Sequence, residues 1–265
     1  MDAAMETMVR VDGGEVWARD EGEREGRRPP LVLLHPGVGD SRIWDDVVPA
    51  LAARHRVIRY DARGFGQSPQ PTTRYSQLGD ARAVLDHFGV GRAVLAGSSM
   101  GGATSLSLAL AEPDRVAGLA LFAPGVTGAP GLDVPEVRAD IERLAEAGDM
   151  DGLVALGLRL WGAVGPEPDG EAARQLRAAI PAWFTTYPHA VADPPVFPHL
   201  GGIAAPCVLA LCEHDQPEVI AVNEDMADRI PGCRLVRLAG SDHFPTLREP
   251  ETVARLILDL CERAA

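Results

Sequence analysis

The sequence predicts an α/β fold: a mostly parallel, twisted sheet with helices on both faces and a helical segment inserted after the sixth strand. Three observations carry this. Short, wholly apolar runs alternate with longer amphipathic ones, as parallel strands covered on both faces alternate with crossover helices. One such run, ending at Gly97, leads into Gly97-Ser98-Ser99-Met100-Gly101, a strand turning sharply into a helix. The alternation stops at Pro124-Gly125 and resumes only near Cys207, which marks an insertion.

The elements follow in order. Residues 7–11 and 15–20, joined by Asp12-Gly13-Gly14, read as a hairpin, because glycine admits the positive φ that a tight turn requires. Leu31-Val32-Leu33-Leu34 is a short buried strand. After it come a helix over 44–55, a strand over 57–60, a helix over 76–88 and a strand over 93–97. A helix over 100–112 and a strand over 116–123 complete this half. From Gly125 to Gly202 helical stretches near 137–147, 153–161 and 172–180 are separated by prolines and glycines, and aromatic residues gather there. With no strand run among them, they read as a lid over the sheet's C-terminal edge. The expected division is therefore a core of residues 1–125 and 203–265 and a lid of 126–202. The sheet resumes at 207–212, followed by a helix at 219–230, a strand at 234–238 and a closing helix at 251–263.

Composition narrows the chemistry. The chain has 265 residues, enough for one such domain with an insertion, and a formal charge of −13. That charge disfavours nucleic acid and anionic membranes and leaves a small-molecule substrate as the expected partner. All 25 basic residues are arginine, so lysine-dependent Schiff-base, P-loop and general-base chemistry is excluded. Cys207, Cys212, Cys233 and Cys261 form no C-x-x-C pair or zinc-type spacing, and read as buried reduced thiols of a cytoplasmic protein. No metal or cofactor is expected. Neither a signal peptide nor a membrane-length apolar run is visible, and nothing in the apolar pattern excludes a homo-oligomer.

The serine at the elbow needs a base, an orienting acid and an oxyanion site before it can act as a nucleophile. Ser99 sits at the apex of the turn and Ser98 one residue off it. Of seven histidines, His243 alone lies between the last strand and the final helix, where a base would sit. His55 and His87 fall on helices, His189 and His199 in the insertion, and His35 in a loop of its own. Asp215, just past the strand 207–212 and beside His214, is the expected acid, with Glu213 and Asp242 as rivals. For the oxyanion site one donor is the amide of Met100. The second comes from the loop His35-Pro36-Gly37-Val38-Gly39-Asp40; proline has no N–H, which leaves Gly37. Trp161, Trp183, Phe184 and Tyr187 are candidates for lining a substrate pocket, against the alternative of plain packing.

Taken together, His35-Pro36-Gly37 with Trp44, the run Asp61–Ser68, Gly97–Gly102, Glu213-His214-Asp215 and Asp242-His243-Phe244 resemble the α/β-hydrolase superfamily. The similarity extends over nearly the whole chain and is to its small lid-bearing esterase, lactonase and perhydrolase-like members. It implies a cofactor-free serine hydrolase acting on an ester or lactone of a small, partly apolar molecule through an acyl-enzyme. It also implies a structural role for Asp61–Ser68. Relatives that open epoxides or remove halide carry aspartate where this chain has Ser99, so those reactions are not expected. One departure is His35-Pro36, where the family usually has His-Gly. Three other readings fit the same triad: carbon–carbon bond hydrolysis aided by lid arginines such as Arg159, Arg174 and Arg177, peroxide-dependent perhydrolase or haloperoxidase chemistry, and a biosynthetic cyclase or binding protein.

Overall fold

The computed structural model describes residues 2–23, 28–132 and 134–264. Its sheet has eight strands in the order β1-β2-β4-β3-β5-β6-β7-β8. Strands β1 (Asp2–Val11) and β2 (Gly14–Gly22) form the hairpin, and β2 runs antiparallel to β4 (Arg56–Tyr60). The remaining neighbours are parallel: β4 with β3 (Leu31–Leu34), β3 with β5 (Ala93–Ser98), then β6 (Val116–Phe122), β7 (Cys207–Cys212) and β8 (Arg234–Leu238). The chain passes from β3 to β4 on one side and returns to β5 on the other. Parallel sheets place their binding crevice at such a reversal, at the carboxyl ends of the strands.

Strands β3, β5, β6 and β7 are buried at every position, as sheets covered on both faces require. Their side chains alternate between two cores. Val32, Leu34, Leu95, Leu119 and Leu209 pack on one face against α2 (Gln77–His87), α3 (Met100–Ala111) and α7 (Pro217–Arg229). Leu31, Leu33, Val94, Phe122 and Ala210 pack on the other against the closing helix α9 (Pro250–Ala264). Each of the larger of these side chains contributes about 1.5–3 kcal/mol by leaving water. The edge strand β8 is mostly exposed and carries Arg234 and Arg237, charges that discourage pairing with another sheet edge.

Two helices differ most from expectation, and proline is involved in both. A single helix over 44–55 would hold Pro49 in its interior, at a cost of ~3 kcal/mol. The chain instead makes a 3₁₀ turn at Ser41–Trp44 and starts α1 (Val48–Ala52) with Pro49 in its first turn. Conversely, the helix expected to end at 180 continues through Pro181 as α6 (Glu171–Thr186), with Ala182 fully buried beyond the proline. The thiols also depart from expectation in part: Cys233 is only half-buried, and its Sγ lies 3.6 Å from that of Cys207.

Between β6 and β7 lie α4 (Pro135–Glu146), α5 (Met150–Trp161) and α6. Leu153, Val154 and Leu158 of α5 and Ala172, Leu176 and Ile180 of α6 join the same apolar cluster as β3, β5 and α9. This segment thus shares the core of the sheet. No helix among the described residues is long and apolar enough to cross a membrane.

Candidate active site

Ser99 follows the last residue of β5 and immediately precedes α3, with φ 47° and ψ −111°, a left-handed conformation that non-glycine residues avoid. The neighbouring glycines permit the sharp turn by close approach. A Cβ on Gly97 would lie 2.4 Å from the Gly101 carbonyl oxygen, and one on Gly101 would lie 2.2 Å from that of Leu34. The register of β5 between Leu34 of β3 and Phe122 of β6 sets Ser99 level with the loops leaving both neighbours.

Asp215 leaves the end of β7 and His243 lies in the loop between β8 and the short α8 (Pro245–Arg248). The imidazole bridges the other two groups: Nδ1 is 2.6 Å from Asp215 Oδ2 and Nε2 is 2.9 Å from Ser99 Oγ. Because an ionised carboxylate can only accept, the proton is assigned to Nδ1, leaving Nε2 to accept from the serine hydroxyl. The second oxygen of Asp215 accepts from the Gln216 amide at 2.7 Å. Burial pushes the His243 pKa down, but Asp215 and, more weakly, Asp242 outweigh it, so the net shift is upward.

The rivals are placed elsewhere. Ser98 is buried in β5, Glu213 is exposed and faces Arg237, and Asp242 is ion-paired with Arg248 at 2.9 Å. Asp61 is structural: its carboxylate accepts from the Ser41 and Gln67 amides.

In the loop after β3 the peptide between Pro36 and Gly37 is oriented by His35, which is itself held from outside the loop. The Ala62 amide donates to His35 Nε2 at 2.9 Å, which places the ring proton on Nδ1. Nδ1 then donates to the Pro36 carbonyl at 2.8 Å. That carbonyl belongs to the peptide whose N–H is that of Gly37. Holding the oxygen at His35 turns the Gly37 N–H to the opposite side, since the peptide is planar and trans. Gly37 stands against Met100, and both line a cavity of about 420 Å³ with Ser99. The Met100 amide is the first of α3 and has no acceptor within that helix.

Trp161 and Trp183 meet edge to face, centroids 5.7 Å apart, and both line this cavity. The indole N–H of Trp183 donates to the Gly37 carbonyl at 2.6 Å. Phe184 and Tyr187 stand outside it: they are 40% and 83% exposed and belong to neither cavity at Ser99. A second cavity of about 370 Å³ shares Ser99, His243 and Trp161 with the first and is lined further by Val137, Arg138, Ile141, Gln216 and Glu218. None of these five was singled out in the sequence, since their approach to Ser99 depends on how α4 and α7 are placed. Arg159, Arg174 and Arg177 line neither cavity; Arg174 pairs with Glu171 and Arg177 with Asp151. Among the described residues no group of three His, Cys, Asp or Glu side chains is placed to hold a metal ion.

The model of the alpha/beta hydrolase family matches residues 31–256. Rhodomycin D methylesterase DauP of Streptomyces sp. (strain C5) is 31% identical over 94% of this chain and 96% of its own length. A dihydrolipoyllysine-residue acetyltransferase component of an acetoin cleaving system, from Pseudomonas putida, is 45% identical, but over only 37% of this chain and 28% of that protein. Among solved structures, the enol-lactonase from Burkholderia xenovorans LB400 superposes with a TM-score of 0.81 at 27% identity, covering 96% of this chain and 99% of that one.

Proposed function

The chain belongs to the alpha/beta hydrolase family, and from that premise we propose that it is a serine hydrolase cleaving an ester or lactone of a small, partly apolar molecule. The observation that carries this reading is the hydrogen-bonded series from Ser99 Oγ through His243 to Asp215, at 2.9 and 2.6 Å. In the proposed cycle His243 Nε2 takes the hydroxyl proton as Ser99 Oγ attacks the carbonyl carbon. The N–H groups of Gly37 and Met100 receive the negative charge that develops on the carbonyl oxygen. Asp215 keeps the imidazole in its productive tautomer and stabilises the imidazolium. Collapse of the tetrahedral intermediate breaks the ester C–O bond, and the proton on Nε2 passes to the departing oxygen. Water then attacks the acyl carbon, giving a proton to His243 Nε2; the second tetrahedral intermediate collapses with cleavage of the bond to Ser99 Oγ, Nε2 returns the proton to that oxygen, and the acid leaves with Ser99 restored.

Residues 126–202 act in this reading as the lid of a core formed by 1–125 and 203–265. The two cavities that meet at Ser99, of about 370 and 420 Å³, are each in the range of small-ligand pockets and would take the two halves of the substrate. The methylesterase and enol-lactonase relatives support the carboxylic ester and lactone class.

The test is treatment with a fluorophosphonate followed by intact-mass measurement, alongside turnover of a panel of p-nitrophenyl esters and lactones. Wild type should gain one adduct and hydrolyse part of the panel, and Ser99→Ala should do neither. An adduct that persists in Ser99→Ala overturns the assignment.

A further inference from the structure

The structure leaves Asp242 outside the proposed triad, yet it is fully buried and makes more polar contacts than Asp215. One oxygen accepts from the Phe244 amide at 3.0 Å, which holds its own turn. The other accepts from the Val164 amide at 3.0 Å, across to the segment that follows α5. Arg248 binds both carboxylate oxygens through Nε and adds a 2.9 Å bond from Nη2 to Oδ2. The same Nη2 donates to the Gly165 carbonyl at 3.3 Å. The guanidinium packs closely on Gly165, where a Cβ would lie 2.5 Å from Arg248 Nη1. The His243 amide in turn donates to the Trp161 carbonyl at 3.1 Å. Three bonds therefore tie residues 161–165 to the turn that carries the imidazole.

We propose that Asp242 is a positioning residue for the catalytic base: with Arg248 it latches residues 161–165 to the His243 turn, so that the seating of the insertion and the placement of the base are set together. The inference rests on the reading of His243 as that base. A carboxylate needed only to hold its own turn would bond Phe244 and require nothing from the insertion. Here four of the five hydrogen bonds to the carboxylate come from Val164 and from the arginine that also holds Gly165. The charged groups around His243 are Asp215 after β7, Asp242 in its own turn and, paired with Asp242, Arg248 on α8. Across the cavity stand Arg138 of α4 and Glu218 of α7.

The latch makes the two partners act oppositely on the pH profile. Asp242→Asn keeps the shape of the side chain and removes a negative charge that favours the imidazolium, so the acid limb of kcat/KM should move to lower pH. Arg248→Gln removes the opposing positive charge, and the limb should move to higher pH. Both variants should lose kcat, by up to ~10²-fold, the scale of a misplacement of about 1 Å, with a smaller change in KM. Arg248→Lys keeps the charge and should hold the wild-type limb. Amides of residues 161–165 should exchange with deuterium faster in Asp242→Asn, while those of β5 and β6 keep their wild-type protection. This last measurement also serves if kcat is too low to titrate. Acid limbs that coincide with wild type, with unchanged exchange at 161–165, overturn the latch while leaving fluorophosphonate labelling at Ser99 intact. Absence of labelling in the wild type overturns the base assignment and the latch with it.

Discussion

Ser99→Gly should stabilise the fold while abolishing activity, and the size of the effect can be worked from the backbone. At φ 47° and ψ −111° a residue with a Cβ sits in a sparsely populated region, which costs about 1–3 kcal/mol. Glycine escapes that cost but loses about 0.5–1 kcal/mol through its greater freedom when unfolded. The difference is a net stabilisation of about 0.5–2 kcal/mol. At about 2–4 °C per kcal/mol for a chain near this size, Tm should rise by about 1–8 °C. The comparator is Ser99→Ala, which deletes the same hydroxyl and the same bond to His243 but keeps the Cβ and hence the strain. Thermal unfolding of both variants, with urea unfolding as an equilibrium check, separates the backbone contribution from that of the hydroxyl. A Tm for Ser99→Gly at or below that of Ser99→Ala would refute the argument that the turn is strained.

Other perturbations read other parts of the site. Trp183→Phe keeps the ring contact but removes the N–H that holds the Gly37 carbonyl; steady-state kinetics should show kcat reduced by about tenfold, below the ~10²–10³ lost when an oxyanion donor itself is removed. Asp215→Asn should lower kcat by ~10⁴ by leaving His243 in the wrong tautomer. It also removes the main upward influence on the imidazole, so the residual kcat/KM should hold to lower pH than in wild type. Arg63→Met strips the partner from Asp80, which Arg63 Nε and Nη2 bind at 2.7 Å each in a buried pair. Calorimetry should show a loss of about 3–5 kcal/mol, since the remaining charge is left uncompensated. Fluorophosphonate labelling of Ser99 should survive that change wherever the protein is folded.

The candidate triad was legible because each member follows a strand that the sequence announces. Buried parallel strands carry apolar runs such as Leu31–Leu34 and Cys207–Cys212, and the crevice of such a sheet lies at their ends. Once those ends are located, Gly37, Ser99, Asp215 and His243 are the chemically apt residues just past them. The insertion was less legible, because its helices are positioned by contacts with the sheet and not by their own periodicity. In α6 the buried stripe through Leu176, Ala179 and Ile180 continues past Pro181 to Ala182 and to Trp183 over Gly37. Phe184 and Tyr187 pass round to solvent, although all three aromatics look alike as candidates. The bonds of Asp242 to Val164 and Arg248 span 78 and 6 residues and leave no pattern that a sequence reading could detect.

These contacts bear on how the inserted helices are tied to the candidate site. Trp183 holds the Gly37 carbonyl, and the Trp161 carbonyl accepts from the His243 amide, so one tryptophan from each of two adjoining helices touches each half of the proposed machinery. The two rings pack edge to face, which joins the oxyanion side of the site to the base side through the insertion. The apolar faces of α5 and α6 belong to the same core as β3, β5 and α9. Displacing these helices would expose that core and leave the Gly37 carbonyl, the His243 amide and the buried Asp242 carboxylate short of partners. A freely swinging cover would not carry such costs. The least buried helix of the insertion is α4, which has no fully buried residue and lends Val137, Arg138 and Ile141 to the lining of the second cavity at Ser99. In the proposed reading, α4 is the helix whose side chains would meet the substrate, while α5 and α6 hold the groups that act on it.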